Sequence, residues 1–206
     1  MRIKRGSILM AGGLALLLAA LCLTGYNLWD GKRAAGSVES AMQALEAQTP
    51  VLEELNLPKE MIPDYVLNPW MPMPVMEIDG REYVGYIEIP ALELSLPVLS
   101  EWSYPNLKVS PCRYSGSVYL NSMVIAAHNY ERHFGGLKYL EPGDAVSFTD
   151  ADGNVFHYVV SGLEQLDPKE PIRLWEGEWD LTLFTCTIGG QYRVTVRCVR
   201  TEDVSV

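Results

Sequence analysis

Hydrophobic and polar positions divide the chain into three stretches with different periods. From Gly6 to Trp29 there is no charge, and "GSILMAGGLALLLAALCLTGYNLW" is apolar all around a helix. About 23 helical residues rising roughly 1.5 Å each reach about 34 Å, enough to cross a bilayer. Residues 37–56, "SVESAMQALEAQTPVLEELN", place Val38, Met42 and Leu45 at helical spacing, with Ser37 as an N-cap and Pro50 as an interruption. Five prolines in 57–80 predict an extended, stiff segment unsuited to a helix or a central strand. From Arg81 the period shortens to two. "REYVGYIEIPALELSLPVLS", "SVYL", "SMVIAAHN", "DAVSFTD", "NVFHYVVSGLEQL", "LTLFTC" and "YRVTVRCVR" read as strands. Turn signals separate them at Pro97, "YPN", "YSG", "EPGD", "DADGN" and "IGG", and "DADGN" between two alternating runs predicts a hairpin. Seven or eight short strands in about 125 residues predict an all-β domain, a closed barrel or a sandwich, with only short helical pieces.

Charge sharpens the layout. Arg2, Lys4 and Arg5 precede the apolar run, and Tyr26 and Trp29 end it where interfacial aromatics belong. A cleaved secretory signal has a shorter apolar region, about 7–15 residues, and an A-x-A-like site, which "KRAAGS" fits poorly. The expectation is therefore a cytoplasmic tail (1–6), an uncleaved single-pass anchor (7–29), a helical and Pro-rich stalk (30–80) and an extracytoplasmic domain (81–206) at the cell membrane. The chain holds 16 basic and 26 acidic residues. Five of the basic ones (Arg2, Lys4, Arg5, Lys32, Arg33) and Asp30 flank the anchor, so the remainder carries 11 basic and 25 acidic. So acidic a body excludes general nucleic-acid binding and leaves membrane attachment to the helix.

Three cysteines lie outside the apolar run: Cys112, Cys186 and Cys198. An odd number in an oxidising compartment leaves one thiol free, and a Cys112–Cys198 bridge would leave Cys186. Along its strand Cys186 has the parity of Thr182 and Phe184, so Leu181 and Leu183 can fill a core while the thiol faces out at the strand's end. A nucleophilic thiol needs a proton-managing partner. His157 lies mid-hairpin and reads as a face residue, and His133 sits in the polar loop "NYERHFGGL" and reads as solvated. His128 ends the run "MVIAA" where a strand emerges, a placement suited to a site on a rigid scaffold, although a turn histidine fits the same position. A hairpin through "TIGGQY" brings Arg193 near Cys186, where a guanidinium can stabilise thiolate and oxyanion; a solvated edge-strand charge is the ordinary alternative. No metal-ligand cluster and no Gly-rich phosphate loop stand out, so no cofactor or metal is expected.

Taken together and in this order, these motifs resemble the sortases, membrane-anchored cysteine transpeptidases of Gram-positive bacteria. "TLFTC" (182–186) is similar to the family's TLxTC signature, "YRVTVR" to the strand that brings its Arg, and "VIAAHN" to the segment that supplies its His. "YVGYIEIPALELSLPVLS" resembles the opening strands, and "FGGLKYLEPGDAVSFTDADGNVFHYVV" the L-x-x-L-x-x-GD stretch and hairpin; the resemblance covers about 82–200. Asn129 follows the His where many members carry Arg, so the class stays open. The resemblance implies a closed eight-stranded β-barrel. It implies Cys186 as nucleophile on an LPXTG-like sorting motif, His128 as general acid/base and Arg193 as oxyanion and substrate donor. Its partners are secreted proteins with a C-terminal sorting signal and an amine acceptor, a cell-wall precursor or a pilin. A membrane-tethered cysteine hydrolase and a non-catalytic β-barrel binder are the alternatives. "NPW" (68–70) is loosely similar to the lid of pilin-polymerising members, with Asn68 in place of the lid's Asp, and reads better as a spacer. Trp175 and Trp179 are candidate groove walls or packing anchors.

Overall fold

The computed structural model describes residues 5–48 and 62–201. It opens with one long helix, α1 (Arg5–Gln48). From Leu9 to Trp29 its side chains are exposed on all sides, and it is long and apolar enough to cross a membrane. Beyond that point it becomes one-sided. Asp30, Ala34, Val38, Ala41, Met42 and Leu45 are buried, a stripe at three- and four-residue spacing laid on the barrel. Burying side chains such as Val38, Met42 and Leu45 contributes roughly 1.5–3 kcal/mol each. Ser37 therefore caps nothing. It lies inside the helix, its hydroxyl donating to the Arg33 carbonyl at 3.2 Å, because the Ala-, Glu- and Leu-rich flanks carry the helix through without a break. The expected interruption at Pro50 lies outside the described residues.

After a short helix, α2 (Asp64–Leu67), come strands β1 (Met76–Ile78), β2 (Arg81–Ile89) and β3 (Leu94–Leu99). Helix α3 (Tyr104–Leu107), β4 (Cys112–Ser115) and β5 (Met123–Ala126) follow. The chain then runs through β6 (Ala145–Asp150), β7 (Val155–Leu166), β8 (Leu181–Cys186) and β9 (Arg193–Arg200). The strands lie in the order β1-β2-β3-β4-β5-β8-β9-β7-β6, and β2 pairs also with β6, which closes eight strands into a barrel with β1 as an outer edge. Closure needs a tight crossing at Gly85. Its φ is +141°, and a Cβ there would lie 1.9 Å from the Thr149 carbonyl oxygen, so only glycine fits.

The expected strands stand, with local differences. "SVYL" forms a 3-10 turn, Val118–Leu120, because the Ser117 hydroxyl accepts from the Tyr119 amide (3.1 Å) and Asn121 turns left-handed (φ 49°). Cys112–Ser115, read as leading into a turn, is a strand, and Met76–Ile78 is a strand within the Pro-rich stretch. Pro97 lies inside β3 rather than at a turn. The expected hairpin at 150–154 is present. The Asp150 carboxylate accepts from the Tyr119 hydroxyl (2.7 Å) and from the Asp152 and Asn154 amides (3.0 and 2.9 Å). Tyr65 stacks on Tyr119 with centroids 4.7 Å apart, which anchors α2 at this end of the barrel; the tripeptide 68–70 follows directly, and Trp70 is exposed. Cys186 lies at the other end.

Inside the barrel, Ile87, Leu96, Val98, Ile125, Phe148, Phe156, Leu183 and Val196 form the main core. A second cluster lies outside the wall beneath α1, holding Leu45, Tyr83, Leu99, Cys112, Val124, Ala126, Leu174 and Phe184. Cys112 and Cys198 are both free thiols, buried in different clusters, and burial pushes each up to about 12, far from reactivity near neutral pH.

Candidate active site

Strand order builds the site. β5 and β8 are parallel neighbours, with Ala126 opposite Phe184, so both strands end at the same pole. The Thr185 hydroxyl donates to the Ala127 carbonyl at 2.8 Å and ties the two exits together. One residue further along each chain stand His128 and Cys186. β8 and β9 are antiparallel, and their last pair is Cys186 with Arg193. The turn between them closes as "TIGGQY" predicts. The Thr187 amide donates to the Tyr192 carbonyl (2.8 Å), and Gly189 and Gly190 take left-handed φ of 85° and 71°. His128, distant in sequence, and the hairpin neighbours Cys186 and Arg193 thus stand at or just past the ends of three adjacent strands.

The three differ in environment. Cys186 is exposed, whereas Leu181 to Thr185 before it are buried. His128 is half-buried. Desolvation lowers its pKa, opposed by the Asp30 carboxylate and reinforced by the Lys108 charge, so the ring is held toward its neutral form. Arg193 is half-buried with its guanidinium 5.1 Å above the Phe184 ring. Its Nη1 is buried and makes no hydrogen bond among the described residues. β9 lies between β7 and β8, so Arg193 is not an edge-strand charge. A buried guanidinium N–H without an acceptor among the described residues is an exception to the usual pairing of buried donors.

Aromatic rings lead away from Phe184. Tyr114 packs edge-on against it (5.3 Å between centroids), Trp102 packs edge-on against Tyr114 (5.5 Å), and Trp175 stacks on Tyr114 (5.8 Å). Trp175 donates through Nε1 to the Ser115 hydroxyl at 2.7 Å and stays half-exposed. It is therefore both an anchor and an exposed wall. Trp179 packs against Gly177.

His157 is exposed on the β6–β7 hairpin, as its parity indicates. His133 departs from expectation. The loop folds back so that the His133 and Gly135 amides both donate to the Tyr130 carbonyl (3.0 Å each), and the ring is fully buried with neither nitrogen hydrogen-bonded among the described residues. Its polar neighbours in sequence, Glu131 and Arg132, take the solvent positions instead. Burial, with His128 a smaller contributor, lowers its pKa to about 4. Sequence reasoning also missed Tyr130 and Asp30, which meet beside His128; the buried stripe on α1 was the available signal. Among the described residues no group of three or more His, Cys, Asp or Glu is placed to hold a metal ion.

A closed barrel with a thiol, an imidazole and a guanidinium at one pole defines a class of protein, and comparison with known chains supplies its family. Residues 87–201 match the family model of the sortase domain. Sortase A of Bacillus anthracis is 27% identical over an alignment of 119 residues that covers 53% of this chain and 54% of that protein. The chain thus spans about half the length of this curated relative. Among solved structures, sortase C-1 of Streptococcus pneumoniae is 28% identical with a TM-score of 0.53, covering 63% of this chain and 71% of that one. Sortase C1 of Streptococcus suis is 26% identical with a TM-score of 0.51, covering 60% and 75%. Sortase A of Corynebacterium diphtheriae shares the fold at 22% identity and a TM-score of 0.54, covering 84% and 86%. The chain belongs to the sortase family.

Proposed function

We propose that this chain is a membrane-anchored cysteine transpeptidase that cleaves an LPXTG-like sorting motif and transfers the acyl part to an amine. What supports this reading is that exposed Cys186, half-buried His128 and Arg193, whose Nη1 has no acceptor among the described residues, stand at the ends of the adjacent strands β8, β5 and β9. Neutral His128 takes the Cys186 proton, and the sulfur bonds to a substrate backbone carbonyl carbon. Arg193 donates to the oxyanion, a contribution worth about 10²–10³ in rate where such donors have been removed. As the C–N bond breaks, His128 returns the proton to the departing amine, leaving a thioester. An incoming amine then attacks the same carbon and loses a proton to His128, and the C–S bond breaks. The thioester retains the acyl energy, so transfer needs no nucleotide. Acceptors of this kind are a cell-wall precursor or a pilin. The aromatic row from Phe184 through Tyr114 to Trp175 is the wall on which the motif's apolar residues rest.

On this reading residues 1–6 stay in the cytoplasm, 7–29 span the membrane and 81–206 act outside it. The 30–80 segment between them sets reach, and its first part seats on the barrel wall. Tethering holds enzyme and membrane-bound substrate in one thin layer, which raises their effective concentration.

The test uses the full chain in detergent micelles with a fluorogenic sorting peptide and an amine. Cys186→Ala is expected to reduce cleavage and amine-adduct formation to background while the thermal unfolding midpoint stays put. Hydrolysis with no adduct would instead mark a hydrolase. Equal activity in Cys186→Ala would remove the thiol from the mechanism.

A further inference from the structure

Asp30 is the first charged residue after the apolar run, and it is only 8% exposed. A buried carboxylate persists where it is paired. Arg33 donates to Oδ1 through Nη2 (2.9 Å) and Nε (3.2 Å). The hydroxyl of Tyr130, 100 residues away, donates to Oδ2 at 2.5 Å. Tyr130 is two residues beyond His128, and the two ring centroids are 4.9 Å apart at 38°. The loop is wound about this tyrosine. The His133 and Gly135 amides donate to its carbonyl, and the Phe134 amide donates to the His128 carbonyl at 3.1 Å.

We infer that Asp30 is a positioning residue for His128, acting through Tyr130, so that the helix emerging from the apolar run grips the loop carrying the imidazole. This rests on His128 serving as the acid/base of the proposed reaction. The grip is directional. A phenol locked to a carboxylate on α1 cannot swing, and a ring 4.9 Å from a fixed aromatic neighbour has one side closed to it. The charged and titratable groups that act on or pack against His128 are Asp30 on α1, with Arg33 paired to it, Lys108 after α3, and Tyr130 and His133 in its own loop; Cys186 and Arg193 end the neighbouring strands β8 and β9. The carboxylate acts to keep His128 protonatable against burial, and Lys108 acts the other way.

The test is an NMR titration of ¹⁵N-histidine-labelled full chain in micelles. In Asp30→Asn the His128 midpoint is expected to fall, since an opposing carboxylate is lost. In Tyr130→Phe the charge remains but its hold does not, so a smaller fall is expected, with the His128 resonance displaced at fixed pH. Glu39→Gln, an exposed carboxylate on the same helix, should change neither. With a sorting peptide, Asp30→Asn should lower kcat with KM little changed, and Asp30→Glu should restore part of kcat. An unmoved His128 midpoint and resonance in both Asp30→Asn and Tyr130→Phe would overturn the inference and leave the transpeptidase reading untouched. A moved titration alongside full cleavage by His128→Ala would support the contact and overturn the catalytic reading.

Discussion

Two arginines on β9, one at its start and one within it, meet opposite fates. Arg197 is 3% exposed and fully engaged. It donates to Glu164 Oε1 (2.7 Å), the Thr182 hydroxyl (3.0 Å) and the Leu174 and Arg173 carbonyls (2.8 and 2.5 Å). Four residues earlier, on the same face, Arg193 has a buried Nη1 with no acceptor among the described residues. The difference lies in what covers them. The 3-10 turn Pro171–Leu174 folds over Arg197 and presents carbonyls to it, while no described residue presents an acceptor to Arg193 Nη1 beside Cys186. A completed set of hydrogen bonds marks a side chain that holds the fold, and an incomplete one marks a side chain held ready for something else.

Breaking each arginine in turn tests that contrast. Arg193→Ala should reduce kcat for peptide cleavage by about 10²–10³, with the unfolding midpoint unchanged; steady-state kinetics beside thermal denaturation reads both. Arg197→Ala should do the reverse. It removes a buried charge that satisfies two carbonyls and a carboxylate, so stability should fall by about 3 kcal/mol or more. Denaturant unfolding of the micellar protein measures this, and kcat per folded molecule should change little. A large kcat loss without destabilisation in Arg197→Ala would erase the distinction.

His133 offers a finer version of the same test, being a second buried polar group whose nitrogens have no hydrogen-bond partner among the described residues. Its folded pKa of about 4 lies below that of a free imidazole. The unfolded chain therefore binds more protons between about pH 6.5 and about pH 4, and stability is expected to fall as pH drops through that window, by about 3 kcal/mol in all. His133→Phe should be neutral at pH 7, as an apolar ring of similar shape leaves no unsatisfied nitrogen, and should flatten the acid side of the stability curve. Unfolding midpoints across pH in both proteins decide it.

Much of the fold was legible because it is written in local periods. Alternation from Arg81 marks a one-sided strand whatever its partner, and Gly189–Gly190 can only turn. The site was legible in part. The parity of Thr182, Phe184 and Cys186 sends the thiol outward, and the hairpin brings Arg193 beside it. Illegible were properties that depend on distant cover. His133 lies in a polar string that reads as solvated, yet the loop turns its ring inward. "SVYL" alternates like a strand, yet Ser117 draws the backbone into a 3-10 turn. Ser37 has the look of a cap, yet the helix continues because the barrel buries Val38, Met42 and Leu45 on its far side.

By itself the sequence determined an apolar helix long enough to cross a bilayer, an all-β domain after it, and a histidine, a cysteine and an arginine in a definite order. Those follow from side-chain chemistry and spacing along the chain, which need no neighbour to be read. Only the tertiary structure decided that β5 and β8 run parallel, that Arg197 is fully hydrogen-bonded while Arg193 keeps an Nη1 without an acceptor among the described residues, and that Asp30 reaches Tyr130 across 100 residues. A period tells which face a residue takes. What lies against that face is set by how the strands close around the core, and no local stretch contains that information.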